Sequence, residues 1–166
     1  MEGENGYVST MNVVGRDVFI KGEGKMLMKI NSLLPVVNIA DNKKVNQSTL
    51  QRYLMELPWN PSAALSPFIS WESIDENSAK ATMDYNGTTG SAIFHFTRNG
   101  DLLKISALRY KDSSENAELV ECIGEVKENK VINGVKIPTK LDVSWVLDEG
   151  LFTWYKIEIY DVEFYY

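Results

Sequence analysis

The stretch AIFHFTRNGDLLKISA, residues 92–107, indicates the fold class of this 166-residue chain. Apolar and polar side chains alternate on both sides of Asn99-Gly100, as they do in half-buried β-strands. Asn-Gly favours a two-residue turn in which both central residues adopt positive φ and the flanking strands run antiparallel. Such a turn would pair apolar residues on one face: Phe96 with Leu103, Phe94 with Ile105 and Ala92 with Ala107.

A second Asn-Gly dipeptide, Asn133-Gly134, predicts another hairpin with one apolar face. Its apolar pairs would be Val126 with Leu141, Gly124 with Val143, and Cys122 with Trp145. The same register sets Lys127 opposite Lys140, and this pair of like charges disfavours the register. Pro138 cannot donate a hydrogen bond to the strand ladder, so a bulge that shifts the register is expected beside it.

Further strands are predicted by short apolar or alternating runs between turn residues. They cover residues 7–14, 17–20, 25–33, 69–74, 80–85, 88–97, 102–110, 119–128, 135–147 and 152–164. Gly22-Glu23-Gly24 supplies a turn, Pro35 is expected to interrupt pairing, and residues 38–46 have the composition of a loop. A meander of consecutive antiparallel neighbours is the simplest topology for these strands.

One helix is predicted, because Ser48 and Gln51 have the spacing of a capping box. Apolar residues then recur on one helical face: Leu50, Tyr53, Leu54 and Leu57. Pro58 ends this helix. We therefore predict a single mainly β domain over residues 1–166, with a strongly curved antiparallel sheet (half-barrel) of roughly eight to ten strands and one amphipathic helix in its concavity. A closed small barrel is the alternative.

Charge and composition exclude several classes of function. The net charge of −6 provides no basic surface for a nucleic acid. With one cysteine, Cys122, and one histidine, His95, the chain lacks the ligands for a thiolate zinc site or a histidine-rich metal site. No metal, cofactor or catalytic residue is therefore assigned.

The sequence also bears on location. Residues 1–6 lack the basic and apolar regions of a signal peptide, and no apolar run is long enough to span a membrane. A cytoplasmic location is the default expectation, whereas a missing upstream segment would allow export or anchoring.

The predicted binding residues are Arg52, Glu56, Trp59, Phe94, Phe96 and Trp145. Arg52 and Glu56 can pair across one helical turn, and Trp59 follows the proline that ends the helix, so this end could border a pocket mouth. Small residues lie among the aromatic residues of the apolar face: Ala92, Ala107 and Gly124. They either make room for core packing or line a cavity for an apolar ligand.

Several segments together resemble an uncharacterised prokaryotic family of domains of unknown function. They are residues 15–19 and 22–24, Arg-Tyr-Leu-Met-Glu at 52–56, Trp-Asn-Pro at 59–61, residues 79–82 and 87–89, Asn-Gly-Val-Lys-Ile-Pro-Thr at 133–139, and residues 154–164. The resemblance covers nearly the whole chain and implies a large curved antiparallel sheet with a helix in its concavity, similar to lipoprotein carriers of the LolA type. Family members usually carry further strands upstream, which implies an exposed edge at residues 7–14 and a homodimer through that edge.

Three hypotheses about function remain. The first is non-enzymatic binding of an apolar small molecule or lipid between helix and sheet, which rests on analogy of fold. The second is a structural or protein-interaction module with a solid core and no ligand. The third is a hydrolase or isomerase that uses His95, Arg109 or an acidic residue. The hairpin register favours an exposed strand histidine instead, because it sets His95 beside Lys104 on the face away from the core.

Overall fold

The computed structural model describes residues 13–30, 34–40 and 42–164 of the chain. Its elements are β1 (Val13–Ile20), β2 (Glu23–Ile30), β3 (Leu34–Ile39), α1 (Lys43–Met55), β4 (Ile69–Asp75), β5 (Ser78–Tyr85), β6 (Thr88–Phe96), β7 (Leu102–Tyr110), β8 (Leu119–Ile132), β9 (Val135–Leu147) and β10 (Gly150–Glu158). Two short 3-10 helices follow α1, Leu57–Trp59 and Pro61–Leu65, which we call the 57–65 segment. Strands β1–β3 form one antiparallel sheet, and β4–β10 form a second sheet in which strands adjoin in chain order.

The prediction of a mainly β, antiparallel protein with an amphipathic helix is confirmed at this level. The prediction of one sheet is wrong, because β1–β3 separate from the seven-stranded meander. The closed barrel is also wrong, since β4 and β10 are the edges of the larger sheet and do not pair with each other in the described residues. Residues 7–12 and 31–33 of the predicted strands lie outside those residues.

The hairpin at Asn133-Gly134 has the predicted two-residue turn. Both residues have positive φ, +50° and +82°. The predicted apolar pairs are present: Val126 with Leu141, Gly124 with Val143, and Cys122 with Trp145. Beside Pro138 the register shifts, as expected, so Glu128 rather than Lys127 lies opposite Lys140. The shift replaces a pair of like charge with a pair of opposite charge.

The hairpin at Asn99-Gly100 has a longer loop than predicted. Of these two residues only Gly100 is left-handed, with a φ of +83°. The Thr97 hydroxyl accepts hydrogen bonds from the backbone N–H of Asn99 and of Asp101, at 3.2 and 3.0 Å, which stabilises the wider loop. In consequence Phe96 pairs with Leu102 and not with Leu103, although the predicted pair of Phe94 with Ile105 does form.

The three-stranded sheet packs beside the first half of α1. The backbone N–H of Gly24 donates to Asn46 Oδ1 at 2.8 Å, and Thr88 Oγ1 donates to the Gly22 carbonyl at 2.8 Å. A Cβ on Gly24 would lie 2.8 Å from Thr49 Oγ1, so this close approach requires glycine. The β1–β2 turn is Lys21-Gly22, one residue before the predicted turn.

Pro35 does not interrupt pairing as predicted. It lies within β3 and pairs with Lys29, beside a register shift between Met28 and Lys29. Strand β3 is an edge of its sheet, where a proline without an N–H need not remove a ladder bond.

Helix α1 begins earlier than predicted because Asn42 is its N-cap. The Asn42 Oδ1 accepts hydrogen bonds from the backbone N–H groups of Lys44 and Val45 at 2.9 and 3.2 Å. Residues 43–46 are therefore helix rather than the predicted loop. The predicted capping box at Ser48 is wrong, since this residue lies inside the helix.

Ser48 and Gln51 instead join the helix to the larger sheet. The Ser48 hydroxyl accepts from the backbone N–H of Tyr110 at 2.9 Å and lies 3.0 Å from its carbonyl oxygen. The Gln51 Nε2 donates to the Leu108 carbonyl at 2.6 Å. Leu108 and Tyr110 lie beyond the last described pair between β6 and β7. The side chains of the helix therefore bond backbone groups of β7 that have no described partner on β6.

The core lies between α1 and one face of the larger sheet, which we call the core face. Leu50 and Leu54 of α1 have no exposed surface and pack in one cluster with Phe94 and Ile105. The predicted pairing of Ala92 with Ala107 is not among the described pairs of β6 and β7. Both alanines are nevertheless buried in the same cluster, which leaves room for the helix.

Candidate functional site

Five of the six predicted binding residues line two clefts on the core face, and the sixth, Trp145, lines neither. Arg52, Glu56 and Trp59 line one cleft, the aromatic groove, whose other walls include Leu141, Val143, Trp154 and Tyr155. Phe94 and Phe96 line the other, the proline cleft, together with Pro58, Pro61, Trp71 and Pro138. The volumes are about 80 Å³ for the aromatic groove and about 240 Å³ for the proline cleft.

The 57–65 segment separates the two clefts. The Trp59 Nε1 donates a hydrogen bond to the Pro138 carbonyl of β9 at 2.7 Å. At the other end of the segment, the Ala64 carbonyl accepts a bond of 3.0 Å from Trp71 Nε1 of β4. Each indole N–H group therefore donates to a backbone carbonyl, and the two bonds tie the segment to β9 and to β4.

Arg52 and Glu56 form the predicted ion pair on the last turn of α1. The Arg52 Nε lies 3.2 Å from Glu56 Oε1, and both side chains remain partly exposed. An ion pair of this kind contributes little to folding stability because water screens it. Both charged side chains line the aromatic groove together with Arg109, whereas most of the other lining residues are apolar.

Trp145 does not line the aromatic groove but is buried beside Trp154, which does. Its ring lies 6.4 Å from the Trp154 ring, and the Arg109 guanidinium lies 5.9 Å from its centroid. The Arg109 Nη1 is 3.8 Å from Cys122 Sγ. Burial raises the pKa of the Cys122 thiol despite the opposing charge of Arg109, so this thiol is neutral and a poor nucleophile near neutral pH.

Trp154 and Tyr155 are site residues that the sequence analysis did not assign. The register of β9 and β10 shifts between Thr153 and Tyr155, which makes Trp154 the extra residue of a β-bulge. Both aromatic side chains consequently line the aromatic groove. The sequence signal is the pair of adjacent aromatic residues, because a strand with one apolar face would separate them with a polar residue.

The comparisons with known proteins concern the whole chain. The family model described as a family of unknown function, DUF6920, matches residues 2–164. The chain belongs to this DUF6920 family. Neither the curated proteins nor the solved structures contain a match. The resemblance to carriers of the LolA type stays a prediction.

His95 of this DUF6920 chain lies away from both clefts. It pairs with Lys104 and with Ser78 on the neighbouring strands, as the hairpin argument predicted for Lys104. Burial and the charge of Lys104 lower the pKa of His95, although Asp75 and Glu121 oppose this change. The imidazole is therefore neutral near neutral pH.

The described residues contain neither a metal-binding cluster nor a membrane-spanning helix. No group of three or more His, Cys, Asp or Glu side chains in this part of the chain could hold a metal ion. No described helix has the length and apolar character needed to cross a membrane.

Proposed function

We propose that this protein binds a small apolar or amphipathic molecule, without catalysis, in the aromatic groove beside α1. The observation that supports this proposal is the contrast in side-chain exposure along the core face. Core-face residues of β6 and β7, which we call the covered half, are buried under the helix: Ala92, Phe94, Ile105 and Ala107. Three core-face residues of β10, which we call the open half, are about half exposed: Phe152, Trp154 and Tyr155 at 54%, 49% and 53%. Clustered exposed aromatic surface is typical of a binding site.

The floor of the groove contains a glycine, and the lack of a side chain there leaves the groove open. Gly124 of β8 lines the groove, and a Cβ at this position would lie 3.1 Å from Leu141 Cδ2. A larger side chain would therefore fill space between Leu141 and the neighbouring strand β7. Leu141, which is buried, contacts this glycine. A substitution at Gly124 can therefore fill the groove from its floor and leave the residues at its rim unchanged.

Strong curvature of the larger sheet is part of this proposal, and the 57–65 segment supports it. In a flat sheet β4 and β9 would be about 24 Å apart, since five spacings of about 4.8 Å separate them. The segment between Trp59 and Ala64 spans about 10 Å as 3-10 helix. The indole side chains of Trp59 and Trp71 supply the rest of the reach to the Pro138 and Ala64 carbonyls. Curvature would shorten the distance that this segment and the two side chains bridge.

Two measurements test the proposal. Native mass spectrometry of protein purified from cells should detect a copurified small molecule, and titration with undecanoate should show saturable binding. Gly124→Val should weaken undecanoate binding about tenfold or more by filling the groove floor. The matched control is Gly15→Val, because Gly15 lies in β1 and its Cβ would have ordinary van der Waals contact at 3.8 Å. Absence of copurified ligand together with absence of undecanoate binding would contradict the proposal.

A second candidate function is protein interaction through the edge strand β10. Every residue of β10 except Ile157 is exposed, and the strand has no partner on its outer edge among the described residues. An exposed, mostly apolar edge favours pairing with another strand, and a second copy of this chain is the simplest partner. Sedimentation should then show a dimer that Phe152→Lys disrupts, whereas Ile74→Lys in the opposite edge strand β4 leaves it intact. A monomer at all concentrations would contradict this candidate.

A further inference from the structure

We propose that the ligand of the aromatic groove carries a planar aromatic ring system that stacks on Trp154, an inference that rests on the function proposed above. Three features of the groove carry it: the bulge in β10, the orientation of the aromatic rings, and the small volume of the groove. Each feature distinguishes a flat ring from a flexible acyl chain.

The bulge brings two neighbouring aromatic residues to one face. In a regular strand, Trp154 and Tyr155 would point to opposite faces of the sheet. The register shift between Thr153 and Tyr155 alters this alternation, and both side chains line the groove. Bulges often re-aim a side chain beside a binding or active site. The consequence here is a continuous aromatic surface at the mouth of the groove.

The rings of this surface are nearly parallel. The planes of Trp145 and Trp154 differ by 17°, with centroids 6.4 Å apart, and those of Trp154 and Tyr155 differ by 22°, with centroids 5.6 Å apart. Trp154 is 49% exposed and Tyr155 is 53% exposed, so ring surface remains accessible. A planar aromatic ligand can extend this arrangement through offset stacking, which adds to the free energy gained from burial of apolar area.

The volume of the groove favours contact with a face over enclosure of a chain. At about 80 Å³ the groove is far smaller than sites that enclose a drug-sized ligand, which measure roughly 300 Å³ or more. A long acyl chain would leave most of its surface in water. A flat ring system can instead cover the exposed ring surface with one face and place one edge in the groove.

The apolar floor disfavours a sugar as the occupant. Apart from its aromatic residues and three charged side chains, the groove is lined by apolar residues such as Leu141, Val143 and Ile157. Hydroxyl groups facing these side chains would lose hydrogen bonds to water without gaining protein partners. The floor therefore favours a ring that is apolar throughout.

Calorimetric titration with three carboxylates separates this inference from the broader proposal. Naphthalene-2-carboxylate and its fully saturated decalin analogue have the same carbon skeleton and charge but differ in planarity, whereas undecanoate has the same number of carbon atoms in a chain. We expect naphthalene-2-carboxylate to bind about tenfold more tightly than the decalin analogue. Equal affinity of these two ligands, or tighter binding of the saturated one, would overturn the inference. The broader proposal would still stand if undecanoate bound, and both would fail if none of the three bound.

A matched pair of variants locates the effect. Trp154→Leu should remove the preference for the planar ligand while undecanoate affinity changes less than about threefold, because leucine keeps the position apolar. The control is Trp71→Leu, a tryptophan of similar exposure that lines the proline cleft, and it should keep the preference. Retention of the preference in a folded Trp154→Leu protein would overturn the inference. Circular dichroism of each variant establishes that it is folded.

Discussion

The covered and open halves of the core face belong to one sheet but differ in the size and exposure of their side chains. Under α1, small residues such as Ala92 and Ala107 let the helix approach, and Phe94 fills the space that remains. Beyond the helix, Trp154 and Tyr155 are large and half exposed. The side chains of the covered half are therefore buried beneath the helix, and those of the open half keep apolar surface exposed. Ala92 and Ala107 are 1% and 5% exposed within this cluster, which favours the interpretation that they make room for core packing.

The largest expected difference between the halves comes from removal of one phenylalanine ring in each. Phe94→Ala should lower the free energy of unfolding by about 3–5 kcal/mol, because it leaves a cavity beneath the helix. Phe152→Ala should lower it by less than about 1 kcal/mol, since that ring is already half in water. Urea denaturation measures both values. Equal losses would show that the two halves do not differ as described.

Adding one methyl group to a glycine beneath the helix and to a glycine next to the open half sharpens the comparison. A Cβ on Gly90 would lie 2.8 Å from Gln51 Cγ and 2.9 Å from Leu50 Cδ2, both in the packed helix. Gly90→Ala should cost about 1–3 kcal/mol of unfolding free energy through overpacking.

The counterpart is Gly124→Ala in β8, which lines the aromatic groove next to the open half. Its Cβ would meet the flexible end of Leu141 at 3.1 Å, and the groove offers space into which that side chain can move. We expect a cost below about 1 kcal/mol in the same denaturation experiment. A larger cost here than at Gly90 would contradict the packing that we infer for both halves.

The covered half also depends on polar contacts between helix and sheet. Ser48→Ala removes the hydroxyl that contacts both backbone groups of Tyr110 and should cost about 1 kcal/mol. The free energy of opening that hydrogen exchange reports for the Tyr110 amide should fall by a similar amount. The control is Ser62→Ala, because the Ser62 hydroxyl donates to the exposed Asn60 side chain and lies outside α1. Unchanged exchange at Tyr110 would argue against this contact.

The smallest expected effect lies on the opposite face, at His95. Burial and Lys104 hold the pKa of His95 below its usual value of 6.5, so the unfolded chain binds more protons as the pH falls below that value. Stability should therefore decline from about pH 6.5 down to the lower pKa of the folded state, and His95→Asn should reduce that decline. Denaturation curves at several pH values measure the slope. Ligand affinity should not change, and a large loss of affinity in His95→Asn would show that the binding site lies elsewhere.

The parts of the fold that follow from local sequence were predictable. Alternation identified β4–β10 approximately, and Asn133-Gly134 indicated the register of the β8–β9 hairpin. The same dipeptide at Asn86-Gly87 also forms a left-handed turn, with φ of +51° and +79°, and the sequence analysis did not use it. The loop at Asn99-Gly100 differed because a neighbouring hydroxyl, that of Thr97, bonds its backbone.

Features that depend on contacts between distant segments were not predictable. Asn42 and Ser48 are both good capping residues, and the sequence alone does not show that Ser48 contacts Tyr110, which lies on β7. Of the candidate site, Arg52, Glu56 and Trp59 do share one groove, whereas Phe94 and Phe96 line the other cleft. The sequence analysis assigned both sets of residues to one site. Periodicity identifies which face of a strand is apolar, but it does not show where the 57–65 segment crosses that face.

The most direct test of the central claim is to locate an apolar ligand by NMR. The four tryptophans provide indole N–H reporters at residues 59, 71, 145 and 154, and single substitutions assign them. During titration with undecanoate we expect the largest saturable shift at Trp154 and little change at Trp71. Shifts confined to Trp71, or no saturable shift at any indole, would contradict the account in which the open half of the core face is the binding surface.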